Sequence, residues 1–129
     1  MKIVRGAMAV IAVSSAVIAL NIQPAAAADG YVYAAGYAAL TVYHDRGDTI
    51  DVVDNAKDGE GAVGWIAVQQ ADGSYKEFSH IYNGRGFSQK ITVTQDVLRE
   101  ASRYRIVSCI QNGPSGHPYN CGSKYYSGS

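Results

Sequence analysis

The chain has 129 residues, of which 47% are hydrophobic, 17% charged and 10% aromatic, with 11 basic side chains set against 11 acidic ones. A neutral balance of this kind supplies no basic surface for nucleic acid or for an anionic membrane. The length suits one domain with a modest core.

The first 28 residues have the three parts of a secretory signal. Lys2 and Arg5 are positive, Ala7 to Leu20 is apolar and uncharged, and Gln23-Pro24 leads into Ala25, Ala26, Ala27 and Ala28 before the polar Asp29. The apolar run is shorter than the roughly 18 to 20 residues that a spanning helix needs. No cysteine lies near it to carry a lipid. Residues 1–28 are therefore read as a signal peptide. Residues 29–129 are read as one secreted domain, extracellular and without membrane insertion after cleavage. Losing Lys2 and Arg5 leaves that domain slightly acidic.

From Tyr31 to Tyr43, tyrosine and threonine alternate with alanine, valine and leucine, the period-two pattern of one or two strands, with Gly36 as a break. Asp45-Arg46-Gly47-Asp48 is a turn, and Ile50 to Val53 is a short β-branched strand. A polar loop from Asn55 to Gly61 precedes Ala62–Val68, which is apolar on both faces and predicts a central strand covered on both sides. Asp72-Gly73 marks a hairpin. Tyr75 to Tyr82 follows, with Phe78, His80 and Tyr82 expected on one face. Asn83-Gly84 and Arg85-Gly86 turn the chain. Phe87, Ile91 and Val93 then alternate with polar residues. Val97 to Ala101, capped by Asp96, reads as one helical turn. Arg103–Ile110 and Gly122–Tyr126 are the last two strands, joined by a Gly- and Pro-rich loop. About seven short antiparallel strands predict an all-β sandwich of the immunoglobulin or fibronectin type III kind, with a small β-barrel as the alternative. Trp65, Ile66 and Val68 are expected in the core with Ile91, Val93, Tyr104 and Ile106.

The stretch Leu98-x-Glu100-x-Ser102-x-Tyr104 resembles the tyrosine corner of fibronectin type III domains, without the proline usual there. Asp51-Val52-Val53-Asp54 with Lys57-Asp58-Gly59, then Arg103–Cys109 and Gln111-Asn112-Gly113 before Cys121, resemble a set of small secreted actinobacterial β-domain proteins. That resemblance implies export and fold, and no function.

Cys109 and Cys121 are the only cysteines. In an exported chain they allow one intramolecular disulfide. If Tyr104, Ile106 and Ile110 face the core, Cys109 faces away and meets Cys121 across a hairpin of the last two strands. The disulfide then stiffens the loop carrying Asn112, Pro114, Ser115, His117, Pro118 and Tyr119, which makes those residues a candidate binding surface. Tyr31, Tyr33, Tyr37 and Tyr43 form the second candidate, an aromatic face for a protein or glycan; ordinary cross-strand pairing explains the same pattern.

Catalytic and metal signals are weak. Gly113-Pro114-Ser115-Gly116-His117 has His117 where a nucleophile elbow needs glycine. His44, His80 and His117 lack zinc-ligand spacing. Asp51, Asp54, Asp58 and Glu60 lack the order of a calcium loop and read as a solvated acidic loop. Arg46-Gly47-Asp48 spells the integrin tripeptide but is equally what a tight turn requires. No motif calls for a cofactor. The expected function is a non-catalytic extracellular interaction module binding a protein or glycan. A small inhibitor of a protease or other hydrolase, inserting the 109–121 loop, is the alternative. N-terminal sequencing of the secreted protein should give Asp29 or a residue within one or two of it; an intact Met1 on a cell-bound form would defeat the export reading.

Overall fold

A computed structural model describes residues 29–95 and 103–127. The expected signal peptide, the helical turn at 97–101 and Leu98 of the tyrosine-corner pattern lie outside the described residues. The described residues form nine strands: β1 (Gly30–Tyr33), β2 (Ala39–His44), β3 (Thr49–Asp54), β4 (Gly61–Gln69), β5 (Tyr75–Glu77), β6 (Ile81–Asn83), β7 (Lys90–Thr94), β8 (Arg103–Gln111) and β9 (Tyr119–Ser127). All pairings are antiparallel. One sheet runs β1-β2-β3-β7; the other runs β9-β8-β4-β5, with β6 also pairing β4. Among the described residues no ladder joins the two sheets, so the protein is a sandwich and not a closed barrel.

In immunoglobulin lettering, β2, β3 and β7 stand as A, B and E, and β4, β8 and β9 as C, F and G. Two features depart from that pattern. Strand β1 adds an edge outside A, and β6 stays on the edge of β4 instead of pairing with β7.

The strand count exceeds the expected seven for two local reasons. The run from Tyr31 to Tyr43 is a hairpin whose turn at Ala35–Tyr37 places Gly36 and Tyr37 at positive φ (67° and 59°). The run from Tyr75 to Tyr82 is broken, because β5 and β6 pair with β4 in registers that differ by one residue in parity. Phe78 therefore packs against the main core, while Tyr82 stands beside Val63 on the outer face. The expectation that Phe78 shares a face with His80 and Tyr82 is corrected accordingly.

Alternation sorts the core. Tyr43, Ile50 and Val52 from one sheet meet Ile66, Tyr104, Ile106 and Ile110 from the other, all buried, with Ile91 and Val93 half-buried against them. Trp65 is buried but not there. It faces outward from β4 in a second cluster with Val63, Val107 and Cys109. Its register partner is Val107, an odd-numbered residue of β8, whereas Ile66 pairs with Ile106. A strand covered on both faces has two apolar sides, and Trp65 took the outer one. His80 stacks on its indole ring at 3.6 Å between centroids.

The sheets approach closely at Gly64, where an added Cβ would lie 2.1 Å from Thr41 Oγ1. The Asn83 side chain crosses between them. Asn83 is fully buried at the end of β6. Its amide donates to the Val52 carbonyl (2.8 Å) and to the Gln89 carbonyl (2.9 Å), and its oxygen accepts the Arg85 N–H (2.9 Å). Asn83→Ala removes three hydrogen bonds to backbone groups at once and should cost at least about 1 to 3 kcal/mol. Urea unfolding should show a lowered midpoint at an unchanged slope.

Candidate functional site

Strand direction decides which loops meet. Strands β3, β6 and β8 all finish at the same end of the sandwich, the end where β2, β4, β7 and β9 begin. The connections 34–38, 55–60, 84–89 and 112–118 therefore cluster there. The second and fourth occupy the B–C and F–G positions, which carry recognition in antibody variable domains; that parallel is one of fold alone.

The 112–118 loop is braced in three ways. Cys109 and Cys121 form a disulfide across β8 and β9, with Cα atoms 4.1 Å apart. The register slips between Tyr119 and Gly122, and Asn120 takes a positive φ of 52°, so two residues of β9 stand opposite Cys109. Within the loop, the Gly116 N–H donates to the Gly113 carbonyl (3.1 Å), and the Gln111 amide donates to the same oxygen (2.9 Å). At its base, the Tyr119 hydroxyl donates to Glu60 Oε1 (2.9 Å), and this carboxylate raises the phenol's pKa. Asn112, Pro114, Ser115 and His117 are exposed on this frame. Tyr119 also exposes its ring, but its hydroxyl is committed to tying the loop to the 55–60 connection. Closing a loop of this size stabilises the fold by about 3 kcal/mol in the chain-entropy account.

Beside the loop lies a cavity of about 370 Å³ between the 55–60 and 84–87 segments. Asp54 and Glu60 supply carboxylates, Lys57 an ammonium, and Tyr82 and Phe87 aromatic rings. Backbone hydrogen bonds tie together the segments that line it. The Asp54 N–H donates to the Gln89 carbonyl (3.2 Å), the Ser88 N–H to the Asp54 carbonyl (2.6 Å) and the Gln89 N–H to the Gly86 carbonyl (3.1 Å). Asn83 holds Gln89 from the other sheet. Burial, reinforced by the nearby Asp58 charge, pushes the Asp54 carboxyl above its ordinary range against the pull of the Ala56 N–H.

The other candidates fall elsewhere. Tyr31, Tyr33 and Tyr37 are exposed and meet edge to face, at 6.1 Å and 5.0 Å between successive rings. Tyr43 does not join them. The β1–β2 hairpin pairs odd-numbered residues of β1 with even-numbered residues of β2, so Tyr43 turns into the core and is fully buried. Its hydroxyl donates to Asp48 Oδ1 (3.0 Å), which gives the Arg46-Gly47-Asp48 turn an internal use for its carboxylate. Asp51 is separated from Asp54, Asp58 and Glu60 by facing the outer side of its sheet. There it accepts from Thr92 Oγ1 (2.6 Å) and meets His44 Nε2 (2.8 Å), while His44 Nδ1 meets Asp29 (3.1 Å). Among the described residues no group of three or more His, Cys, Asp or Glu side chains is arranged to hold a metal ion, and no helix is long and apolar enough to cross a membrane.

The cavity was not visible in the sequence. Its signals were the four glycines 59, 61, 84 and 86 in two separate turns, which read only as turn chemistry. Comparison with family models, curated proteins and solved structures finds no match.

The His44 contacts set a pH dependence. Hydrogen bonding to Asp51, helped by Asp29 and opposed by burial, raises the imidazole pKa above 6.5. Its contribution to stability is therefore complete below 6.5 and is lost as pH rises through the folded value. Burial pushes the Asp51 carboxyl up, but the Thr92 hydroxyl, His44 and Lys90 outweigh it and hold its pKa below 3.8. That contribution is present above 3.8 and is lost as pH falls through the lowered value. Relative to His44→Gln, the wild-type thermal midpoint should gain most between these limits and lose the gain on the alkaline side; a constant difference across pH 4 to 9 would refute the assignment.

Proposed function

We propose that residues 29–129 form a secreted, non-catalytic interaction module that grips a protein partner with the loop end of the sandwich. The observation that carries this reading is the convergence, at one end, of a disulfide-braced loop bearing Asn112, Pro114, Ser115 and His117 with the neighbouring 370 Å³ cavity. A loop already held in one conformation loses little freedom on binding. The tyrosine ridge favours protein over glycan as the partner. Successive rings are tilted by 85° and 76°, so the three cannot lie flush on a flat sugar polymer. His44 spends both ring nitrogens on carboxylates, which supports a structural role for it. Export is inferred from the first 28 residues and fits a protein that carries a disulfide.

The rigidity of the loop also favours the second reading, a small hydrolase inhibitor that inserts the same segment. Affinity capture from culture medium and cell-wall fractions separates the two. Recovery of one hydrolase in equimolar amount, with its activity lost, supports inhibition; recovery of non-enzymatic envelope or exported proteins supports the module. With the partner in hand, Ser115→Ala/His117→Ala should weaken binding by at least about tenfold while the melting temperature stays nearly constant. Tyr33→Ala/Tyr37→Ala should leave affinity intact. The reverse pattern moves the contact surface to the tyrosine ridge.

A further inference from the structure

We propose that the cavity between residues 55–60 and 84–87 receives the guanidinium or ammonium group of a basic side chain presented by the partner. This rests on the loop end being the contact surface, and it adds the chemistry of one subsite.

Three observations point to a cation. The first is Asp54. It lines the cavity and is only 2% exposed. One oxygen accepts the Ala56 N–H (3.1 Å), and among the described residues no basic group comes within ion-pair distance of either oxygen. A buried carboxylate without a counter-ion is costly, and burial together with Asp58 already raises its pKa. A cation entering the cavity removes that cost.

The second is the balance of charge. Asp54 and Glu60 line the cavity and Asp58 is close enough to act on Asp54, against the single cation Lys57. Glu60 has one oxygen engaged by Tyr119, which orients the carboxylate without neutralising it.

The third is that a cation is already accommodated at the rim. Lys57 Nζ sits over the Phe87 ring, 5.1 Å from its centroid. Phe87 is 45% exposed, so the ring can be shared with or surrendered to an incoming planar guanidinium. A neutral sugar fits less well. One of the two rings is withdrawn from sugar stacking, since Tyr82 packs on Gly61 and Gly84, where an added Cβ would meet its ring at 2.6 Å and 2.7 Å.

The test uses the protein from Asp29 to its C-terminus and the backbone amides of Gly59, Gly61, Gly84 and Gly86 as reporters in ¹H–¹⁵N spectra. The probes are end-blocked Gly-Arg-Gly, Gly-Lys-Gly and Gly-citrulline-Gly peptides, with 1,5-diaminopentane as a free diamine. The arginine and lysine peptides should shift these four amides saturably, and the citrulline peptide should not. Asp54→Asn keeps the acceptor for the Ala56 N–H and should weaken arginine binding by at least about tenfold. Lys57→Met removes the competing cation and should tighten it. Dispersed spectra of both variants establish that they fold; should Asp54→Asn not, Glu60→Gln takes its place with the same expectation. Equal binding of citrulline, indifference to these substitutions, or no shift with any peptide overturns the proposal. Tighter binding of the free diamine than of either peptide overturns the partner side chain as the source of the cation. None of these failures touches the loop reading, which the Ser115/His117 measurement on the intact complex decides separately.

Discussion

The buried amide of Asn83 holds together the end of the sandwich where the 55–60 and 84–89 connections meet. It leaves one sheet from the end of β6 and satisfies two carbonyls, those of Val52 and Gln89, on the β3–β7 side of the other. Buried polar groups of this kind are tolerated only when every hydrogen bond is made, and a fully satisfied one specifies a single geometry. Asn83 thereby helps decide where the 84–89 connection, two of whose glycines line the cavity, lies against Asp54. The same residue reads in the sequence as half of an Asn-Gly turn.

A second constraint is the double burial of β4. Every residue from Gly61 to Val68 is buried, although only one face of the strand looks into the sandwich. The outer face is covered by the protein's own side chains: His80 on Trp65, Tyr82 beside Val63, and the Arg105–Glu77 ion pair at 3.1 Å. The disulfide belongs to this outer cluster through Cys109. The bond that stiffens the 112–118 loop is therefore anchored on a packed apolar platform, which limits how far the loop can swing.

The two edges formed by β1 and β9 are joined without a ladder. The Tyr126 hydroxyl donates to the Tyr31 carbonyl and accepts the Tyr31 N–H, and its ring stacks on Tyr104. An added Cβ at Gly122 would lie 2.1 Å from the Tyr33 carbonyl oxygen, so only glycine allows β9 this close to β1. Bridging two exposed edges with side-chain bonds and close contact protects them from pairing with other chains. It also leaves Tyr31, Tyr33 and Tyr37 projecting from a fixed strand and turn.

Sequence alone determined whatever depends on local period and on counting. Alternation set the all-β class and placed Tyr104, Ile106 and Ile110 on one face of β8 and Cys109 on the other. With two cysteines, only one intramolecular disulfide was available. Tertiary structure decided everything that depends on register. Whether Tyr43 joins Tyr31 and Tyr33 outside or turns inward is settled by the odd-to-even pairing of the β1–β2 hairpin, which the sequence pattern does not encode. Which apolar face of β4 received Trp65 was undetermined for the same reason, since a strand apolar on both sides carries no sign of which side is the core. The cavity was hidden most completely. Asp54, Lys57 and Glu60 are separated by more than twenty residues from Tyr82 and Phe87, and they meet only because β3 and β6, in different sheets, end on the same side of the sandwich.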